Sequence, residues 1–525
     1  MPEAGAHGHR DRSAPRGARR RDAAGDCAGT PAVTPPARLR FERGSLRLDL
    51  PRSARVPPYL VWDGRVGAWR TEARYYGRIR EDAASYHLRV ADEAAQFMDL
   101  PPLHPALPPL RADQQHAVEA WERAGGRGVV VKPTGTGKTE IALAIVARHR
   151  ASALIVVPLR DLMYQWQRRI RQGLGVDAGL LGDGHREILP VTVTTYDSAY
   201  IHMKEVGNRF RLVVYDEAHH LPAPALRESA LDCLAPLRLG LTATPWRADG
   251  AEGLLGDLIG PVVYAEQIPQ ARGRTLAAYT VIRVPIYLTD TEQAEFDTLS
   301  RRIRRYVAGW RREQAARPDR PGAGGAGAAD GRPGGSRGFD WTHDLAVRAR
   351  TDPEARAILR AYRRKLALVH RSAEKLRVVE DILRLHAEDQ VVIFTASTRM
   401  ALEVSARFLV PALTSSSPRE ERYRVLDLFA RGTLRALVAC EVLNEGWDAP
   451  AVKVGVVLGG EKGTREAVQR IGRLLRKTGD RMARLYEVVV QESPDVRRAR
   501  RRSRTDAYQA ATRLSLDQAR QLDLF

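Results

Sequence analysis

The sequence predicts an α/β protein: two parallel-sheet domains, a small α+β domain ahead of them, and a helical insertion between them. Three observations carry this fold class. Short apolar runs alternate with helical stretches from 110 to about 285. The alternation breaks over 288–375 and resumes to about 490. The first of these runs enters a glycine-rich loop, KPTGTGKT (132–139), from which a helix departs.

Residues 1–38 are rich in Gly, Ala, Pro and Arg and poor in aromatics, which predicts a disordered basic tail. The RRR at 19–21 reads as solvated. Residues 39–102 change character, with short apolar-polar alternations and then YLVWDGRVGAWRTEARYYGRI, the signature of a small α+β unit. LPPLHPALPPL (100–110) is a proline-rich connector.

The first sheet domain is expected over 103–287. Its strands are GVVV (128–131), ALIVV (153–157), VTVTTY (191–196), RLVVY (211–215) and LGLTAT (239–244), with helices such as TEIALAIVARHR (139–150) and RDLMYQWQRRIRQ (160–172) between several of them. Such a βαβ rhythm builds a parallel sheet covered by helices on both faces. Residues 288–375 are helical and basic, interrupted by RPGAGGAGAADGRPGGSRG (320–338), which predicts a flexible loop. The second sheet domain is expected over 376–492, with VVIFTAS (391–397), ALVACEVL (436–443), VGVVL (454–458) and LYEVVV (485–490). Residues 493–525 read as a basic tail in which RRARRRSR (497–504) is a solvated helix face, with nucleic-acid contact as the alternative.

Composition narrows the function. A chain of 525 residues with 44% hydrophobic content has room for about three domains. The formal charge of +21 suggests a polyanionic partner, most simply nucleic acid, unless an arginine-rich genome has inflated it. Cys27, Cys233 and Cys440 are far apart and form no C-x-x-C, so neither a zinc site nor a disulfide framework is supported. No apolar run reaches the roughly 18–20 residues of a membrane span, and the N-terminal stretch lacks the apolar core of a secretory signal. The expectation is a cytoplasmic protein without a membrane role.

The loop Pro133-Thr134-Gly135-Thr136-Gly137 ends in Lys138-Thr139. Backbone N–H groups there would cradle phosphates, Lys138 would reach the β/γ-phosphates of ATP, and Thr139 would hold Mg²⁺. Lys132 occupies the position of the usual first glycine, and its side chain is expected to point to solvent. LVVYDEAHH (212–220) ends an apolar run in two carboxylates. Asp216 at the strand end suits the metal, and Glu217 suits orienting and deprotonating the attacking water. His219 and His220 do not share a helical face and have no third partner, so no metal site is expected there. The hydroxyls of TAT (242–244) are expected to bond to Asp216-Glu217 or to the neighbouring domain. In EAVQRIGRLLRK (466–477), Gln469, Arg473 and Arg476 fall at i, i+4, i+7 on one helix face. That layout suits arginines reaching an ATP held by the other domain. Asp448, in EVLNEGWDAP, is placed to meet either the nucleotide sugar or the linkage to nucleic acid.

Together, in this order over about 110–480, these segments resemble the superfamily-2 helicase core of two RecA-like domains with ATP between them. LRADQ (110–114) is similar to the adenine-reading segment, with Arg111 and Gln114 in place and Asp113 where an aromatic is common. PTGTGKT, VVPLRDL, VTTYDS, DEAH, TAT, VVIFTAS, EVLNEGWDAP and QRIGRLLR resemble the successive motifs of that core. Within it the chain resembles the XPB-type repair helicases in their compact bacterial and archaeal form. The likeness covers motifs V–VI, the 39–102 segment, similar to a damage-recognition domain, and the 288–375 insertion, in the place of a thumb. The family's Arg-Glu-Asp element stands here as Arg247-Ala248-Asp249. The resemblance implies ATP- and Mg²⁺-dependent 3′–5′ translocation on, or unwinding of, DNA at single strands or duplex junctions. It also implies nucleic-acid contacts near Pro158, Thr195, Thr395 and Arg247, and a nuclease or repair protein as partner. A restriction-type translocase subunit, an RNA helicase, and an ATP-gated clamp without turnover are the alternatives.

Overall fold

The computed structural model describes residues 36–243, 250–267, 270, 279–315, 344–440, 452–459, 483–503, 508 and 511–522. Residues 1–35 of the expected N-terminal tail and the expected 320–338 loop lie outside these, whereas Ala37 and Arg38, expected to end the tail, open the first strand.

The N-terminal unit is a five-stranded sheet of order β3-β4-β2-β1-β5. Its strands are β1 (Ala37–Glu42), β2 (Ser45–Asp49), β3 (Val61–Asp63), β4 (Ala68–Glu72) and β5 (Val90–Asp92), with helix α1 (Tyr76–Asp82) after β4. Alternation in β1 and β2 turns Leu39, Leu46 and Leu48 into a small core with Tyr76 and Ile79. The connector then runs along the next unit. Leu103, Leu107 and Leu110 pack on that unit's core, and the His104 and Ala106 amides donate to the Leu174 and Gly173 carbonyls.

The second sheet has eight strands in the order β13-β6-β12-β11-β7-β10-β8-β9. They are β6 (Arg127–Val131), β7 (Ala153–Val157), β8 (Gly179–Gly182), β9 (His185–Arg186), β10 (Val191–Thr195), β11 (Leu212–Asp216), β12 (Leu237–Thr242) and β13 (Val262–Ala265). All pairings are parallel except β8 with β9. Helices α2 (Ala112–Arg123), α3 (Lys138–His149), α4 (Arg160–Leu174), α5 (Tyr196–Val206), α6 (Glu228–Leu231) and α7 (Leu254–Leu258) cover it. Val130, Ile155 and Val214 face one layer while Val129, Val156 and Val213 face the other. Burial on both faces explains why these strands are unbroken apolar runs rather than alternating ones. Inside β12, Arg238 is fully buried. Its guanidinium donates to the carbonyls of Ala230, Cys233, Ala235 and Leu258, so it closes the ends of α6 and α7.

The third sheet has seven parallel strands, β16-β17-β15-β18-β19-β14-β20. They are β14 (Tyr279–Ile286), β15 (Val391–Phe394), β16 (Ala412–Leu413), β17 (Ala436–Ala439), β18 (Val454–Val457), β19 (Ala483–Val490) and β20 (Thr512–Ser515). Between β14 and β15 lie α8 (Asp290–Ala315), α9 (Asp344–Arg348), α10 (Pro353–His370) and α11 (Ala373–Leu385). The helices α8, α9 and α10 share a core of Ile303, Leu345, Ile358 and Ala361. Helices α12 (Thr398–Phe408), α13 (Arg419–Ala430), α14 (Pro494–Arg502) and α15 (Leu516–Gln521) complete the lobe.

Two expected boundaries move. Tyr279–Ile286 falls before 287, in the stretch assigned to the first sheet domain, yet it pairs along its whole length with β19 of the third sheet. Periodicity identifies a strand but not its partner. Residues 493–525 are not simply a tail, because β20 pairs with β14 and α14 is anchored. Arg502, buried in the basic run expected to be solvated, meets the fully buried Glu487 at 2.6 Å, and Arg283 meets the same carboxylate at 2.9 Å.

Beside α14, Arg498 Nη1 lies 3.1 Å from His370 Nε2. Burial, with help from Lys375 and Arg498 and against Asp495, holds this imidazole down at about 4, from an ordinary 6.5. The folded state therefore resists a proton that the unfolded chain accepts. Its contribution is complete above about pH 6.5 and is lost as pH falls toward 4. Chemical unfolding of the wild type should lose roughly 2 kcal/mol more between pH 6.5 and 4.5 than His370→Gln does. Parallel curves would show that His370 does not titrate in this window.

Candidate active site

The site lies at the carboxyl ends of β6 and β11, where the strand order places β12 and β11 between β6 and β7. That crevice is where open α/β sheets take ligands. Lys132 leaves β6 with its amide on the Thr242 carbonyl at 2.9 Å. The loop then turns through Gly135 and Gly137, at φ +81° and +79°, a region that glycine enters without cost. A side chain at Gly137 would also run into Gln114 Nε2. Thr136 Oγ1 closes the turn on the Pro133 carbonyl at 2.7 Å, and Lys138 Nζ donates to the Lys132 carbonyl at 3.2 Å. Thr139 lies in the first turn of α3. Thr134 Oγ1 is buried with no hydrogen-bond partner among the described residues.

The start of α2 is fastened to this loop. Arg111 Nη2 donates to the Thr136 carbonyl at 2.5 Å, and Gln114 Nε2 to the Gly137 carbonyl at 3.1 Å. Gln114 Oε1 accepts from the Arg111 amide, so the pair also caps the helix.

Lys132 corrects the solvent-directed expectation. Its side chain is fully buried, with Nζ donating to Asp113 Oδ2 at 2.8 Å and to Glu266 beyond β13. Asp113, which replaces the common aromatic, binds this ammonium and Arg111 instead of stacking. Burial alone would raise the Asp113 carboxyl, but hydrogen bonds from Lys132 and Arg111 outweigh it and hold the group below the usual carboxylate range. The partners are 19 and 134 residues away in sequence, which is why local pattern could not reveal them.

Asp216 ends β11. One carboxylate oxygen accepts from the Glu217 amide at 3.0 Å, the other from the Trp166 indole on α4 at 2.9 Å. Burial pushes its carboxyl up, and the adjacent Glu217 adds to the rise while Lys138 opposes it. Glu217 sits at φ +47°, a strained backbone for a residue other than glycine. Its Oε2 makes no hydrogen bond among the described residues, and His219 Nδ1 lies 3.4 Å away. The same His219 nitrogen is 3.0 Å from Thr242 Oγ1, which brings that hydroxyl to the histidine beside Glu217. Among the described residues no cluster could hold a metal by His, Cys and carboxylates alone.

Three of the residues expected to contact nucleic acid, Pro158, Thr195 and Thr395, lie at or just after the carboxyl ends of strands β7, β10 and β15. Pro158 follows β7 and leads through the partly exposed Leu159 into α4. Thr195 caps α5 by accepting the Ser198 amide, and Thr395 donates to the Ser397 carbonyl. Asp448, Gln469, Arg473, Arg476 and Arg247, with Thr244 and Ala248, lie outside the described residues. Trp166 is the residue that sequence reasoning missed. It sits on α4's apolar face with Met163 and Ile170, which reads as core, but a buried indole N–H needs a partner.

Three family profiles match the chain. Residues 39–94 match the Xeroderma pigmentosum group B helicase damage recognition domain, 107–247 the type III restriction enzyme res subunit, and 374–478 the helicase conserved C-terminal domain. A DNA 3'-5' translocase XPB2 of Sulfurisphaera tokodaii is 34% identical over 469 residues, covering 88% of this chain and 99% of that protein. The chain belongs to the XPB-type superfamily-2 helicases. Two further XPB-type relatives, each named DNA 3'-5' helicase XPB, come from Kineococcus radiotolerans and Mycobacterium tuberculosis. Each is 30% identical over 75% of this chain, which spans 62% and 63% of their respective lengths. The XPB-type fold is also similar to a point variant of S. cerevisiae Dbp5 bound to RNA and ADP BeF3, with TM-score 0.51 and 15% identity over 78% of this chain and 91% of that one.

Lys132→Met should leave Asp113 and Glu266 facing each other without a buried cation, at a cost of about 3–5 kcal/mol in unfolding free energy. Adding Glu266→Gln to Lys132→Met should recover part of that loss. A strictly additive double mutant would sever the proposed link.

Proposed function

We propose that this XPB-type helicase hydrolyses ATP at the Lys138–Asp216–Glu217 site and uses the cycle to move 3′–5′ along DNA, in the service of DNA repair. The observation that carries the reading is the fastening of Arg111 and Gln114 onto the glycine-rich loop, whose Lys138 lies near enough to act electrostatically on the strand-end carboxylate of Asp216. Lys138 and the first-turn amides of α3 would hold the terminal phosphates. Glu217 would orient and deprotonate the attacking water, which suits a carboxylate oxygen with no hydrogen bond of its own. Arg473 and Arg476 would stabilise charge on the transferred phosphoryl group from the second lobe, with Gln469 beside them. Asp448 would meet the sugar or relay to nucleic acid.

Thr139 and Asp216 offer the hard oxygen donors that Mg²⁺ prefers, and are the protein groups that would hold it. When bound, it supplies charge neutralisation on the phosphates. Pro158, Thr195 and Thr395 at the strand ends, and Arg247, would follow the phosphate backbone without reading sequence. The +21 charge supports a polyanionic partner. Among the described residues no helix is long and apolar enough to cross a membrane. We place the protein in the cytoplasm, with a nuclease or repair protein as partner.

Single-stranded DNA should stimulate ATPase activity more than RNA does, with a salt-sensitive affinity. Lys138→Ala and Glu217→Gln should lower turnover by about 10²–10³-fold. Arg473→Ala should lower turnover far more than ATP binding. Strand or triplex displacement on 3′- and 5′-tailed substrates reads direction. ATPase without DNA stimulation, or equal loss of binding and turnover in Arg473→Ala, would overturn the corresponding assignment.

A further inference from the structure

Helix α4 links the Pro158 segment, the other lobe and the nucleotide site. Its head follows the Pro158 turn. Asp161 in its first turn accepts from Tyr423 Oη at 3.1 Å and faces Arg422 at 3.5 Å, both on α13 of the other lobe. Further along the helix, Trp166 donates to Asp216 and Arg169 pairs with Glu140, the residue after Thr139. The helix therefore braces both halves of the nucleotide site from one face, through residues three apart.

We infer that Trp166 is a positioning residue of the nucleotide site, whose indole N–H fixes the Asp216 carboxylate and ties it to the helix that begins at the nucleic-acid turn. The inference rests on the function proposed above. The geometry is specific. Trp166 is 2% exposed and its N–H is 2.9 Å from Oδ2. The Glu217 amide holds Oδ1. With one donor on each oxygen the carboxylate plane cannot turn freely, and the remaining lone pairs keep a fixed direction for a hydrated cation. A shift of α4 on binding DNA, or on closure against α13, would reach Asp216 through this one bond. The apolar rest of the indole serves the core. A phenylalanine would serve that second role and not the first.

Trp166→Phe should raise the Mg²⁺ concentration for half-maximal ATPase about tenfold, the worth of one hydrogen bond to a charged group. It should also lower the ratio of DNA-stimulated to basal turnover several-fold, with metal-free ADP binding unchanged. Met163→Ala, buried on the same face, should lower the melting temperature without moving the Mg²⁺ requirement. An equal shift in both variants would make the effect one of packing and overturn the inference. A second readout needs neither turnover nor a variant that folds well. In wild-type protein carrying 5-fluorotryptophan, the ¹⁹F resonance missing from Trp166→Phe belongs to Trp166. It should move on adding Mg²⁺ to the ADP complex, and again on adding single-stranded DNA. A resonance that stays still in both titrations overturns the inference. If Trp166→Phe yields no sample, the one resonance that responds to Mg²⁺ in the ADP complex must also respond to DNA, and failure to do so counts equally against it. Wild-type protein without DNA-stimulated ATPase would instead overturn the proposed function, while the Mg²⁺ titration would still decide the role of Trp166.

Discussion

A lysine ammonium buried between two carboxylates organises the nucleotide lobe. Lys132 joins the end of β6, the start of α2 through Asp113, and the segment leaving β13 through Glu266. Counted with Arg111, the cluster is neutral: two cations against two carboxylates. That balance makes burial tolerable, since a charge in the interior is stabilised only by close partners and satisfied hydrogen bonds. It also fixes register. With Lys132 held, the loop that follows has a set origin, and Arg111 and Gln114 fall on the carbonyls of Thr136 and Gly137. The loop's missing glycine is therefore occupied by a residue with structural work of its own.

Around this anchor the site is an arrangement of strand ends and one brace. The sheet delivers Lys138 and Asp216 to the same edge through β6 and β11, and β12 between them supplies Thr242 for His219. Helix α4 lies across these elements, with its far end held by the connector at His104 and Ala106. The connector is thus a packed strap along the lobe, which keeps the N-terminal unit close to the helix that begins after Pro158.

Much of this was legible in the sequence, for identifiable reasons. Strands such as Ala153–Val157 and Val391–Phe394 announce themselves because burial on both faces demands continuous apolar residues. The phosphate loop and the Asp216-Glu217 pair are local chemistry, so their spacing suffices. What escaped depends on distant partners. Lys132 reads as a surface charge until Asp113 and Glu266 surround it. Arg238 lies just ahead of the expected LGLTAT run, and nothing local to it shows that carbonyls from four residues converge on it. Trp166 reads as core because its ring is core, and only its N–H is committed elsewhere. The C-terminal arginines read as a solvated run because composition cannot show that Glu487 waits beneath Arg502.

The strand Tyr279–Ile286 has a consequence for synthesis. It lies between β19 and β20, and its register partner for Tyr279 is Ala483. The nucleotide lobe can close once residues to about 267 have emerged, since its strands all lie before that point. The second lobe cannot, because an apolar strand near its beginning waits for partners made about 200 residues later. At roughly 5–20 residues per second that is a delay of about 10–40 s. During that interval β14 is an unpaired edge. A strand in that state can pair with another chain until Ala483–Val490 and Thr512–Ser515 are made.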